Sequence, residues 1–220
     1  RLHGDLEFTP VFPETEETSA PVIERYLPSR DYEKHNRELK RARRFLKQRS
    51  QKTWFEIRLS AVIDPFLEEA RQLCEEWKEI ELAASDSGDK APLCFCHGDY
   101  QYHNILRQDR GFFLVNFEKC QADGPVRDLY LLLRKLLEKS EWDAEWGRVL
   151  LAAYESVRPL KPYERQDLFY RLSYPEKLWK IVNFYYNSGK AWIPEKNQEK
   201  LDRLLEQEAA RKKFLKLLQR

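Results

Sequence analysis

Apolar positions recur at helical spacing through most of this chain and give way to short apolar runs in one central stretch. In SRDYEKHNRELKRARRFLKQRSQK, Leu39, Ala42 and Leu46 mark a thin apolar stripe, and Ser29 or Asp31 stands where an N-cap belongs, so a helix is expected. A second long helical region is expected from Trp54 to Leu82, with Pro65 at a start or a kink after Asp64. SDSGDKAP (85–92) has the composition of a loop. Strands are then expected at LCFC, NILR and FFLVN, separated by a polar loop and a QDRG turn. PVRDLYLLLRKLLEKS starts on Pro125 and is apolar around much of its circumference, which predicts a buried central helix. Further helices are expected at 143–157, 163–172, 175–187 and 194–218. Residues 1–30, with Pro10, Pro13, Pro21 and Pro28, read as an irregular lead-in, and no internal repeat is visible. The expected class is α+β, predominantly α-helical, with a small β-hairpin insert displaying a polar loop.

Composition narrows the function classes. At 220 residues and 26.5 kDa the chain is long enough for one substantial core. Its net charge is 39 − 37 = +2, so no global field favours nucleic acid or membrane. No apolar run approaches the roughly 20 residues that span a bilayer, and the start does not resemble a signal peptide. Nine basic residues between Lys34 and Lys52 suggest a solvated helix face, with anion binding or partner docking as the sharper alternative. Aromatics do not interleave with them, so nucleic acid is not expected. Cys74, Cys94, Cys96 and Cys120 are expected as buried, reduced thiols. Cys94 and Cys96 are read as facing opposite sides of a strand, unable to pair easily. Trp179, Phe184, Tyr185, Tyr186 and Trp192 are expected mostly as core anchors. There is no methionine, even at position 1, so the chain is not expected to be an intact translation product from its start codon.

The candidate chemistry lies in CFCHGDYQYHNILRQDRGFFLVNFEK, residues 94–119. His97-Gly98-Asp99 is followed five residues later by Asn104, and an apolar strand then ends in Asn116. Phosphoryl transfer needs such a layout: a carboxylate to orient a hydroxyl acceptor, an amide oxygen for magnesium, and a strand-end carboxylate that holds the metal against nucleotide phosphates. The triplet His3-Gly4-Asp5 has Pro10 where an asparagine would be needed and reads as coincidence.

HGDYQYHNIL, FFLVNFEK and GPVRDLYLLLRK resemble the aminoglycoside phosphotransferase and choline kinase group of protein-kinase-like enzymes. HNRELKRARRFL and PEKLWKIVNFYYNSGKAWIPEKNQEKL are similar, within that group, to the CotS family of spore coat proteins. The resemblance covers about residues 30–218 and implies the large, C-terminal lobe of the kinase-like fold over 31–220. It makes Asp99 the catalytic aspartate, Asn104 a magnesium ligand and Asn116 the occupant of the principal metal-binding aspartate's place. Glu118 becomes the second acid of the strand-end pair, while His97 and Asp128 support the loop. On an extended strand Glu118 would share a face with Asn116 and could compensate for it. The smaller lobe, with its phosphate-contacting lysine, has no counterpart here, so the nucleotide-binding residues are unknown. The implied function is a spore coat protein made in the mother-cell cytoplasm, a degenerate phosphotransferase acting as a scaffold among coat proteins. The alternative is an active enzyme using ATP and magnesium on a small hydroxyl-bearing substrate.

Overall fold

In chain order the elements of the computed structural model are α1 (Pro28–Gln48), α2 (Trp54–Asp86), β1 (Cys94–Cys96), a 3-10 turn (Tyr102–Asn104), β2 (Ile105–Gln108), β3 (Gly111–Leu114), β4 (Gln121–Asp123), α3 (Val126–Lys139), α4 (Ala144–Glu155), α5 (Pro162–Ser173), α6 (Glu176–Asn187) and α7 (Pro194–Leu218). The structure describes residues 27–86, 93–109, 111–187 and 194–219. The proline-rich lead-in up to residue 26, the His3-Gly4-Asp5 triplet, most of the 85–92 loop and Trp192 lie outside them. The described residues form two compact units, one of 27–86, 169–187 and 194–219, the other of 93–109 and 111–168, with the division inside α5.

In the first unit the thin stripe of α1 is fully used: Leu39, Ala42 and Leu46 are buried. They meet Phe55 and Leu59 of α2, Leu178 of α6 and Leu201 of α7 in one apolar cluster. Pro28 takes the first turn of α1, where its missing N–H costs nothing. The expected Ser29 or Asp31 cap is not the one used. Leu27 occupies the N-cap position, and Ser29 donates from its backbone N and its Oγ to the carboxylate of Glu81 on α2. A partner helix thereby supplies the acceptor that a cap would have supplied.

Helix α2 runs unbroken through Pro65, which is neither its start nor its end. Its start is a reciprocal cap written in sequence as Thr-x-x-Glu: Thr53 N donates to Glu56 Oε2 at 2.8 Å, and Glu56 N donates to Thr53 Oγ1 at 3.2 Å. The aromatic stretch of α6 serves mostly as core anchors, as expected, with Trp179 and Tyr186 packed against the cluster that holds Tyr185. Tyr185 is buried beside Phe55, Trp179 is half-buried, and Phe184 is exposed under the ammonium of Lys200.

The second unit holds two separate two-stranded antiparallel sheets, β1 with β4 and β2 with β3. Their registers pair Cys94 with Asp123, Cys96 with Gln121, Ile105 with Leu114 and Gln108 with Gly111. The expected FFLVN strand stops at Leu114, before Asn116. The short polar strand β4 had no apolar signal to announce it. In the same unit, α3 buries Val126, Leu129, Tyr130, Leu133 and Leu137. At the start of α4, Asp143 caps by accepting from Glu145 N and Trp146 N.

The cysteines depart from expectation in two ways. Cys94 and Cys96 lie on the same buried side of β1, with Sγ atoms 3.6 Å apart, because residues two apart on a strand share a face. The hydrogen bond it shares with Cys94, together with burial, pushes the Cys96 thiol up. Cys120 is exposed rather than buried.

His35, on α1, is buried, its ring stacked 3.5 Å from Trp179, and its Nδ1 has no hydrogen-bond partner. Desolvation lowers its pKa against the raising influence of Glu176, Asp31 and Glu38. The unfolded chain therefore binds this proton more readily than the fold does, so its neutral form stabilises at neutral pH. That stability should be lost as pH falls below about 6.5. In thermal melts, acidification should lower the midpoint of the unmodified protein more than that of His35→Phe, which keeps the stack and removes the titration.

Candidate functional site

The site is assembled on Asp128, in the first turn of α3 and completely buried. Its Oδ2 accepts from His97 N at 2.7 Å and its Oδ1 from Gly98 N at 2.9 Å. A buried carboxylate is tolerated when its oxygens are satisfied in this way, and here it fixes the chain as it leaves β1. Gly98 has φ +75°, and a Cβ added there would sit 2.0 Å from the carbonyl oxygen of Lys119. Only glycine allows both that backbone conformation and that approach.

His97 ties the loop to the segment after β3. Its Nε2 lies 2.9 Å from Val115 O, and Asp99 N donates to its Nδ1 at 3.3 Å. Together these bonds place the ring proton on Nε2, donated to Val115 O. The ring also packs 4.6 Å from that of Phe117.

Asp99 is held on every polar atom. Lys119 Nζ pairs with Oδ2 at 2.8 Å, Gln101 Nε2 donates to Oδ1 at 2.7 Å, and Asn104 Nδ2 donates to the backbone oxygen at 2.8 Å. The hydrogen bond from Lys119 is the main reason the Asp99 carboxyl titrates below the usual carboxylate range. Asn104 closes the 3-10 turn and is buried, and its Oδ1 accepts from Asn116 Nδ2 at 2.9 Å. Asn116 itself is left-handed, φ 67°, a conformation that asparagine and aspartate tolerate better than most residues.

The expectation that Glu118 shares a face with Asn116 fails, because the strand has ended and the backbone has turned over. Glu118 is exposed in the turn with Lys119. The loop therefore brings together His97, Asp99, Asn104, Asn116 and Asp128 but leaves Glu118 facing solvent. Sequence reasoning missed Lys119 and Gln101. The one available signal was a basic residue directly after Asn116-Phe117-Glu118, and nothing in its spacing tied it to Asp99.

Magnesium takes oxygen ligands whose lone pairs are free, usually with one or two carboxylates among them. Among the described residues no group of three or more His, Cys, Asp or Glu side chains is placed to hold a metal ion. Asn104 Oδ1 already accepts from an amide, and Asp99 already pairs with an ammonium. This arrangement does not fit a divalent cation. What it can do is hold a partly exposed aspartate in a fixed position.

Similarities to known proteins agree with this geometry in kind. A family model described as "Spore coat putative kinase YutH" matches residues 68–218. "Spore coat protein S" of Bacillus subtilis (strain 168) is 31% identical over 159 residues, which is 68% of this chain and 45% of that protein. The crystal structure of an aminoglycoside phosphotransferase from Alicyclobacillus acidocaldarius subsp. acidocaldarius DSM 446 superposes with a TM-score of 0.74 at 19% identity, over 87% of this chain and 57% of that one. The chain thus spans about half the length of these relatives. At this identity the structural match establishes the kinase-like fold and nothing finer.

Asp128→Ala should leave two buried N–H groups without acceptors, at about 1–3 kcal/mol each. Urea unfolding should show a loss of that combined order, whereas the exposed Glu118→Ala should change the midpoint little.

Proposed function

The chain belongs to the spore coat family described as "Spore coat putative kinase YutH", and from that premise we propose that it is a coat component whose phosphotransferase site has degenerated, acting through contacts with other coat proteins. The observation that carries the reading is Asn116. Its neutral amide stands where a metal-binding carboxylate is needed, and it spends a donor on Asn104 Oδ1. In this reading the chain corresponds to the large lobe of the fold, and Asp99 retains the position, but not the use, of an acceptor-orienting carboxylate. Asn104, Asn116 and Glu118 mark a former metal side, and His97 and Asp128 keep the loop in shape. ATP and magnesium are then not cofactors of the protein. Its place is the spore coat; among the described residues no helix is long and apolar enough to cross a membrane.

A second reading, an ATP- and magnesium-dependent phosphotransferase acting on a hydroxyl acceptor, has one observation in its favour. The bracing of the loop amides by Asp128 is intact. Loop geometry without a second carboxylate at the strand end is weaker support than the amide contact is against it.

Calorimetric titration with ATP in the presence of magnesium should give no saturable binding, and a fluorescent fusion should sit in the coat of developing spores. Magnesium-dependent ATP binding at micromolar affinity, or a fusion excluded from the coat, overturns the proposal.

A further inference from the structure

Three side-chain oxygens in the loop are of the kind a hard cation would take, and each already faces an N–H donor. Asp99 Oδ2 meets Lys119 Nζ at 2.8 Å, Asp99 Oδ1 meets Gln101 Nε2 at 2.7 Å, and Asn104 Oδ1 meets Asn116 Nδ2 at 2.9 Å. Lys119 does not reach Asp99 by chance of side-chain length alone. Its backbone carbonyl lies directly over Gly98, so the lysine is anchored beside the residue that precedes Asp99.

We propose that Lys119 closes this site to divalent cations, its ammonium occupying the place beside Asp99 while the Asn116 amide fills the coordination site on Asn104. The inference rests on reading the loop as phosphotransferase-type and adds a residue to it: the defect lies at 116 and 119 together, not at 116 alone. The Lys119 side chain is 65% exposed, so its ion pair is screened and contributes little to folding. Its effect is positional, since a positive charge in that place repels a second cation however weakly it binds its own partner. Asp is isosteric with Asn and tolerates the left-handed backbone at 116. Asn116→Asp therefore sets an anionic oxygen against Asn104 Oδ1, an arrangement that calls for a cation between them. With Lys119 in place, that cation is still opposed.

Manganese binding to the full 220-residue chain, followed by electron paramagnetic resonance of free Mn2+, separates the two residues. The unmodified protein and Lys119→Gln should bind no manganese, and Asn116→Asp should bind weakly. Asn116→Asp combined with Lys119→Gln should bind about tenfold more tightly or better, the scale expected for removing one neighbouring charge. Asn116→Asp combined with Lys119→Arg should fall back to the affinity of Asn116→Asp, because the charge is kept. Equal affinity in Asn116→Asp and its Gln double variant, including none in both, overturns the proposal. So does an Arg double variant that binds as tightly as the Gln one, or manganese binding by the unmodified protein at the double variant's affinity. These comparisons involve neither ATP nor the coat, so the proposal can fail while the functional reading stands, and the reverse.

Discussion

The paired acceptance of two successive backbone amides by one buried carboxylate is the constraint on which the site depends. Asp128 comes from a helix whose apolar face is already buried, so its position is not adjustable. With His97 N and Gly98 N held against it, the chain must leave β1 in one direction, and the left-handed Gly98 turns it under the carbonyl of Lys119. The His97 ring then clamps the segment after β3 through Val115, which settles where Asn116 and Lys119 can be. Each contact uses the one before it.

From that frame the chemistry follows from the kind of donor present. A magnesium site and this site need the same oxygens in the same places. They differ in what faces those oxygens: a hydrated dication in one case, an amide and an ammonium in the other. Satisfying polar groups internally removes the penalty of leaving them bare, and the polar groups of this loop are so satisfied. That completeness is what the proposed scaffold reading expects, whereas catalytic groups are held ready for a charge that has yet to develop.

The helical order was legible because apolar positions three and four apart survive as a pattern. Leu39, Ala42 and Leu46 are one case, and the run from Val126 to Leu137 is another. The strands were less so. Segments of three or four residues carry too little alternation to fix their ends, so the third strand was drawn through Asn116 when the backbone had already turned. That error placed Glu118 on the wrong face. Cys94 and Cys96 were misjudged for a simpler reason, since strand alternation itself puts them on one side. Asp99, Asn104 and Asn116 stand out together in the sequence because they are close and their spacing carries the geometry, whereas His97 and Asp128 are singled out only by the family resemblance. Lys119 could not be singled out, because its contact with Asp99 exists only after the left-handed turn is made.

The central claim is that nitrogen donors stand where a cation would stand. A high-resolution crystal structure of the unmodified protein grown in manganese chloride, with anomalous scattering collected at the manganese edge, addresses it directly. The account predicts Lys119 Nζ on Asp99 and Asn116 Nδ2 on Asn104 Oδ1, with no anomalous peak beside Asp99. A manganese ion coordinated by Asp99 or Asn104 Oδ1, with Lys119 swung into solvent, would contradict it.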